Sequence, residues 1–576
     1  MIKRNLFMLI SIFLWIGGAS SQESAQQGQE LNRIFGNRPE VCFEFNVAHL
    51  GDVNKLSKII SIDRVDGLKI KAYANKQEFA AFREWDLDYL IIPAPGLANP
   101  VITKEIGPLN SPNVWDAYPT YSAYESMMTQ FQTDHPTLCK VQNIGTLASS
   151  RKILMARISS NVTDSLQNKP QFLWVSSIHG NETTGYILML RLIDYLLTNY
   201  GTNPQVTNLL DHAEIFINPL TNPDGTYFGG NNSVNQATRY NSNGVDLNRN
   251  FPDPQAGQHP DGNAWQPETV IMMNFANTHH ISMGGNFHNG AEVINYPWDT
   301  WSNLHADDSW WQQVSREYVD TVHAYGPVGY LTDLDNGITN GYAWYTITGG
   351  RQDYMTYFHR SREATFEIGN NNLTPGSTLP GFWNCNFRSL MNYMTQVTYG
   401  VHGIVTDSVT TAPLKARVFI NGHDHDSSQV WSTLPVGNYY RLLSPGAYNL
   451  TYTATGYWPK TVYNVNVVNH QASLLDVKLI PLSQGIPEFP WGKGSNLTVF
   501  PNPALGITYL HSHKEWRGDI LIEVWNSQSQ MVLQEKIKGE QLDGGLPLSF
   551  DGISKGLLLI RVSNAYYCET LRVLIP

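Results

Sequence analysis

The sequence predicts an α/β domain built on a mixed sheet flanked by helices, preceded by a small α+β domain and followed by two β-sandwich domains. Three observations lead there. Between about Trp115 and Gly400, apolar strand-like runs such as "QFLWV" alternate with helix-like runs such as "TTGYILMLRLIDYLLTN". That is the pattern of a sheet covered on both faces. Before this region, some 60 residues alternate strand and helix on a smaller scale. After Val401 the helical spacing stops, and short alternating runs separated by turn residues take over.

Taken in order, Lys3 and Arg4 precede an apolar run from Leu6 to Ile16, and small Ala19 and Ser21 suit cleavage after Ser21. Residues 1–21 therefore read as a signal peptide. The run is too short to span a bilayer comfortably, and no later stretch is long and apolar enough. The mature chain is expected to be exported, with no transmembrane segment. Residues 38–97 form the small α+β unit. "VCFEFNVA", "GLKIKAYA" and "DYLIIP" read as strands, and "NKLSKIIS" and "KQEFAAFREW" as helices. The expected order is β-α-β-α-β with the helices on one face. "PAPGLANP" closes it.

In residues 115–400, the helix after "NETTG" is apolar on most faces, so it should be buried against the sheet. Ligands in such folds gather beyond the carboxyl ends of strands, where "SSIHG" and "NPLTNPDG" lie. Residues 401–482 read as one β-sandwich ("GIVTD", "ARVFING", "VYNVNVV"). A Pro/Gly-rich linker follows, "PLSQGIPEFPWGKGS", and residues 496–576 form a second all-β unit.

A net charge of -11 without a basic cluster argues against nucleic acid. Sixteen Trp and 29 Tyr argue against disorder over most of the length. Cys42, Cys139, Cys385 and Cys568 lack metal-site spacing. Cys139 and Cys385, both in the α/β region, either form a bridge or remain two buried thiols.

His179 and Glu182 stand three residues apart where a strand gives way to a helix. On their own they suit a polar turn and a Glu favoured by the helix dipole. They also suit two thirds of a catalytic zinc site, which takes three protein ligands and leaves one position open. His288, in "GGNFHNGAEVINYPWD", is the candidate third ligand. His279 and His280 compete, but they precede the glycines, where a helix-end role is more natural. "TRYNSNGVDLNRNFPD" supplies Arg239, Asn248 and Arg249. An arginine fork binds a carboxylate bidentately, as recognition of a free chain end requires. Glu367 lies in the apolar strand "ATFEIG", where a carboxylate is costly to bury without a purpose. Near a metal it would serve as general base. Glu363 looks like a solvent-facing glutamate, and Tyr345 precedes a Gly-Gly turn that would let it ride a mobile loop.

With "HGNE", "RYNSNGVDLNRNFPD", "GITNGYAWY", "GGRQD" and "TFEIG" in this order, the region from about Ala117 to Gly400 resembles the zinc metallocarboxypeptidases, in particular the subfamily of carboxypeptidases D, E and M. The resemblance implies one Zn2+ held by His179, Glu182 and His288. It makes Glu367 the general base and then acid, and gives Arg239 the scissile carbonyl. Asn248 and Arg249 would hold the terminal carboxylate, and Tyr345 would close over the substrate. Asp299 and Gln352 match positions that favour C-terminal Arg or Lys. Arg351, next to Gln352, would weaken that preference if it pointed inward. The implied partner is a peptide or protein with a free C-terminal carboxylate.

Residues 401–482 resemble the transthyretin-like domain of that subfamily, and "GHDHDSSQ" within it is expected to be a solvated loop. The terminal unit resembles the type IX secretion sorting domain of Bacteroidetes. That implies secretion machinery as a second partner and a secreted or cell-surface location. The N-terminal unit is similar in plan to a carboxypeptidase propeptide. A deacylase on the same scaffold and a surface adhesin are the competing readings.

Overall fold

Four parallel strands form the centre of an eight-stranded sheet whose carboxyl ends carry the candidate site. The structure is a computed structural model that describes residues 27–105, 115–163, 168–482, 497–504, 507–512, 516–542, 545–564 and 567–576. The signal peptide expected at residues 1–21, and most of the linker after Pro481, lie outside those residues.

The chain divides into two compact units. The first comprises Met1–Val405, Pro413–Leu450 and Val462–Val477, and the second Thr406–Ala412, Thr451–Thr461 and Lys478–Pro576.

The N-terminal domain runs β1 (Val41–Asn46), α1 (Val53–Leu56), β2 (Ser61–Asp66), β3 (Lys69–Ala74), α2 (Lys76–Arg83) and β4 (Tyr89–Ile92), with sheet order β2-β3-β1-β4. This corrects the expected β-α-β-α-β order. The helix read from "NKLSKIIS" covers only its first half, and an unforeseen strand, β2, follows. Helix α2 starts at a capping box: Asn75 Oδ1 accepts from the Gln77 and Glu78 N–H groups, and Glu78 reaches back to the Asn75 N–H. Phe43, Phe45, Phe79 and Phe82 stack between the helix and the sheet, with ring centroids 4.8–5.9 Å apart.

The α/β domain contributes α3 (Tyr121–Asp134), β5 (Cys139–Thr146), β6 (Lys152–Ile158), β7 (Gln171–Ser176), α4 (Thr184–Asn199), α5 (Pro204–His212), β8 (Glu214–Asn218), α6 (Pro267–Thr278), β9 (Ile281–His288), β10 (Glu292–Tyr296), α7 (Asp308–Tyr325), β11 (Ile338–Asn340), α8 (Arg351–His359), β12 (Arg362–Ile368) and α9 (Leu379–Thr395). The sheet order is β11-β10-β12-β9-β7-β8-β6-β5, with β12, β9, β7 and β8 mutually parallel. Apolar side chains cover both faces. Tyr186, Leu190, Ile193, Trp311, Leu390 and Met394 pack on one, and Leu173, Val175, Phe216, Met272 and Met355 on the other. Helix α4 is buried nearly all round, as its sequence implied. Trp174, Phe287 and Phe366 interlock across three adjacent strands, with centroids 4.8–5.5 Å apart. Gly285 makes room for them, because a Cβ there would stand 2.1 Å from the Trp174 ring.

Cys139 and Cys385 are free thiols, so no bridge joins them. Among the described residues, no helix is long and apolar enough to cross a membrane.

Past Gly400, two small sheets replace the helices. One orders strands Asn438–Arg441, Gly400–Asp407 and Ala472–Leu474, and the other includes Val430–Trp431, Arg417–Ile420 and Gly446–Thr453. Asp307 ties residues 417–441 to the α/β domain. It accepts from Arg362 Nη2 (2.5 Å), from Arg441 Nη1 (2.6 Å) and Nη2 (3.0 Å), and lies 2.8 Å from His423 Nε2. Arg441 also grips Asp424 at 2.5 Å. The "GHDHDSSQ" segment is therefore docked rather than solvated at His423 and Asp424. Two arginines already balance the carboxylates there.

In the second unit, residues 497–576 form two antiparallel sheets around Leu510, Ile522, Val524, Ile560 and Val562.

Candidate active site

β7 and β9 lie side by side, and the loops at their carboxyl ends bring the predicted ligands together. His179 Nδ1 is 2.9 Å from Glu182 Oε1, and His288 Nδ1 is 2.8 Å from Glu182 Oε2. The two Nδ1 atoms are 3.1 Å apart. Three buried donors thus face one point.

The far side of each imidazole tests the fit to a metal. His179 Nε2 is 2.9 Å from Asp246 Oδ1, so its proton sits on Nε2 and the Nδ1 lone pair is free. The Asn286 amide lies 2.8 Å from His288 Nε2, and its Oδ1 is buried without a partner. Turning that amide over lets Oδ1 accept the Nε2 proton and frees His288 Nδ1 in the same way. Burial pushes the Glu182 carboxyl up, but the charges of His179, His288 and Arg239 outweigh it and hold it well below the usual carboxylate range. Two imidazoles and a carboxylate, oriented from behind, fit a zinc ion that keeps its fourth position open.

Glu367 follows from sheet register. β9 and β12 are parallel with His288 opposite Glu367, one residue beyond the Phe287–Phe366 pair, so both side chains project from the other face. Glu367 Oε2 is buried with no partner. Burial, and then the charge of Glu182, push its carboxyl well above the usual range, against the pull of Arg239. Arg239 Nη1 donates to Glu182 Oε1 at 2.5 Å.

Asn248 and Arg249 sit on a single turn, Leu247–Arg249, capped by Asp246, whose Oδ1 accepts the Asn248 N–H at 2.8 Å. Arg249 Nη1 donates to the Asn248 carbonyl at 2.9 Å, while Nε and Nη2 are buried with no partner. Unsatisfied buried guanidinium donors are costly unless an anion takes them.

Asp299 is buried beside the clamp. A Cβ on Gly350 would lie 3.7 Å from its Oδ2 and 3.8 Å from Asn248 Oδ1. Asp299 Oδ1 accepts from Gln352 Nε2 (3.1 Å) and Asn295 Nδ2 (3.0 Å). Gly341 leaves space for it, since a Cβ there would meet Oδ1 at 1.7 Å. Burial raises the Asp299 carboxyl to about 6. Asn295, Arg249 and Gln352 pull it down, and Asp253 pushes it up. Asp353 lies behind and accepts the Asp299 and Thr300 N–H groups.

Arg351 points away from this pocket. It is fully buried and ion-paired to Glu363, with Nε 3.0 Å from Oε1 and Nη2 3.0 Å from Oε2. Glu363 is accordingly a buried partner and not a solvent-facing residue. His279 and His280 lie at the opposite ends of the strands, away from the site.

The N-terminal domain reaches into the cleft. Ser61 Oγ accepts from Arg239 Nε at 2.6 Å and donates to Asp246 Oδ2 at 2.5 Å. Asp63 Oδ1 is 3.1 Å from Arg239 Nη1, and the Ile62 carbonyl accepts from Nη2 at 3.3 Å. Glu40 takes the N–H groups of Arg239 and Tyr240, one on each oxygen, at 2.9 Å. Tyr345 and Ile347 are packed into the N-terminal domain's own apolar core, so here Tyr345 is sheathed rather than poised over an open cleft.

Sequence reasoning missed Asp246, Asn286 and Asn295, which orient the ligands and the pocket, and Ser61, Asp63 and Glu40. Asp246 lay in plain view inside "NSNGVDLNRN", two residues before Asn248.

A mixed α/β sheet with a His/Glu/His donor set at its carboxyl edge, flanked by a half-buried glutamate and an arginine with two unpaired donors, defines a metallohydrolase-type site. Residues 124–389 match the family described as zinc carboxypeptidase. Carboxypeptidase M of Mus musculus is 32% identical over 351 residues, covering 58% of this chain and 77% of that protein. Carboxypeptidase D of Homo sapiens is 34% identical over 388 residues, covering 65% of this chain but 28% of that longer protein. The chain belongs to the zinc carboxypeptidase family. Among solved structures, the carboxypeptidase A from Helicoverpa armigera aligns with a TM-score of 0.48 at 18% identity, over 62% of this chain and 97% of that one.

Proposed function

We propose that the protein is a zinc-dependent exopeptidase that hydrolyses the C-terminal peptide bond of peptides or proteins, favouring C-terminal Arg or Lys. The observation that carries the exopeptidase reading is Arg249, with two buried donors and no partner beside the His/Glu/His centre. The terminal carboxylate of a substrate satisfies them, with Asn248 alongside.

His179, Glu182 and His288 would hold the zinc, which would supply Lewis-acid polarisation of the scissile carbonyl and lower the pKa of a water. Glu367 takes the proton from the attacking water at Oε2 and passes it to the leaving nitrogen. Arg239 stabilises the charge that gathers on the carbonyl oxygen, and Tyr345 closes over the bound chain end.

Peptides ending in Arg, Leu and Glu, assayed with and without a chelator, test this reading. Cleavage of one residue from the C-terminus should stop with the chelator and return with added zinc. Chelator-resistant cleavage, or none after zinc loading, would refute it.

The side-chain preference rests on Asp299. Its carboxyl ionises at about 6 in the free site, so the pocket loses its negative charge as pH falls through that value. A bound cation lowers the carboxyl's pKa by the same linkage that makes binding pH-dependent. The KM for Arg-ended peptides should therefore rise below about pH 6 and that for Leu-ended peptides should not follow. Asp299→Asn should raise the Arg-peptide KM about 10–100-fold at neutral pH. Equal effects on both peptides would remove Asp299 from the specificity pocket.

The same reading makes the N-terminal domain an inhibitory segment, because its Ser61, Asp63 and Tyr345 contacts occupy the groups a substrate needs. It also assigns export to the N-terminal segment, a transthyretin-like scaffold to residues 401–482, and surface sorting to residues 496–576.

A further inference from the structure

At the amino ends of the central strands, far from the metal centre, a cavity of about 800 Å³ opens between the α/β domain and residues 415–440. Its wall carries Lys169, His279, His280, His359, Arg360 and Lys415 and, among the described residues, no Asp or Glu. The chain as a whole is acidic, at -11, so the gathering of Lys169, Arg360 and Lys415 on one wall runs against its general character.

Arg360 and Lys415 have no ion pair among the described residues. Arg360 ends helix α8 in the left-handed region, at φ 60°. This is the left-handed cap of the helix, with the Arg360 N–H bonded to the Met355 carbonyl. Its Nη1 donates to the Phe358 carbonyl, and its Nε is buried with no partner. Lys415 lies over the Trp431 ring, 6.0 Å from its centroid, and has no ion pair among the described residues. Lys169 is held by Ser159, Ser160 and the Leu210 carbonyl.

The carboxylate behind the wall is already committed. Glu214 accepts from Arg157 Nε at 2.8 Å and from Gln171 Nε2 at 2.9 Å. Burial, followed by the charges of His359 and Lys415, lowers His280 to about 4. Burial, followed by Arg351 and Arg360, does the same to His359. Both imidazoles are therefore neutral near pH 7, and the positive charge on this wall comes from its lysines and Arg360, between the α/β domain and residues 415–440, in a volume that suits a small molecule.

We propose that this cavity binds a small multivalent oxyanion, such as a sulfated sugar or a polycarboxylate, gripped by Arg360 and Lys415 and flanked by Trp431. The ligand would touch both domains at once and stabilise their docking by mass action.

The test uses the full zinc-loaded chain, titrated calorimetrically with sucrose octasulfate and with benzene-1,3,5-tricarboxylate. Neither probe competes strongly for zinc. One-to-one saturable binding of at least one probe is expected, with a raised melting temperature. The Arg360→Gln/Lys415→Gln double variant should weaken that binding at least tenfold while leaving peptide hydrolysis unchanged. Lys415→Arg alone, which keeps the charge, should bind as the parent does and guards against a folding artefact. Binding of only one probe identifies the oxyanion class and still supports the site. Absence of saturable binding to both probes, or undiminished binding in the double variant, would overturn it.

Discussion

Glu367→Gln should lose turnover by about 10²–10⁴-fold, the range a positioned general base contributes, while retaining its zinc. The amide keeps the shape of the side chain and cannot accept a proton from water. Glu367 lies opposite His288 in register but is not one of the three converging donors, so metal content should not change. Peptide hydrolysis and elemental analysis on the same preparation measure both. A rate within tenfold of the parent would show that the proton moves by another route. Lost zinc with lost activity would make Glu367 a fourth donor instead.

The second large effect is a gain. Asp63 faces Arg239 at 3.1 Å, Lys71 at 2.9 Å and Asn372 at 2.7 Å. Of these, the bonds to Arg239 and Asn372 join the N-terminal domain to the α/β domain, and losing the charged one weakens that attachment by about 1.5–3 kcal/mol. If the closed form is inactive, Asp63→Ala raises the open population, and with it hydrolysis by the uncleaved chain, about 10–100-fold. A fall in activity would mean that the N-terminal domain is a permanent wall of the cleft. The sign of the change thus decides between an inhibitor and a building part.

The metal triad was legible because each ligand sits where a strand meets a loop and the motif order is compact. Glu367 was legible only as a glutamate on an apolar strand. That it stands beside His288 is a matter of sheet register, which the linear sequence does not display.

Strand β2 was missed for a physical reason. In "SIDRVD", Ser61, Ile62 and Asp63 are all buried, with Ile62 in the domain's apolar core and its two polar neighbours bonded into the cleft. A bulge between Ile62 and Arg64 shifts the register against β3, so Ile62 and Val65 stand three apart and the period-two alternation that marks a strand is broken. Glu363 was misread for a related reason. Its neutralising partner, Arg351, lies on the preceding helix, and a buried ion pair between two elements leaves no periodic trace in either. Asp246 and Asn286 act one hydrogen bond away from the metal donors, where spacing rules for ligands do not reach.

The grip on Asp307 bears on how the molecule comes apart. Arg362 from the sheet and Arg441 from the following β-rich segment share one buried carboxylate, and Arg441 is also tied to Asp424. Separating the two segments breaks both hydrogen bonds from Arg441 to Asp307 and opens a buried charge network to water, although Arg362–Asp307 and Arg441–Asp424 each stay within one segment. The change of strand pattern at Val401 is therefore a change of architecture without a matching seam in cooperativity. Heat or denaturant should melt residues on either side of it in a single transition, and a chain cut there would forfeit part of the free energy that keeps the catalytic half folded.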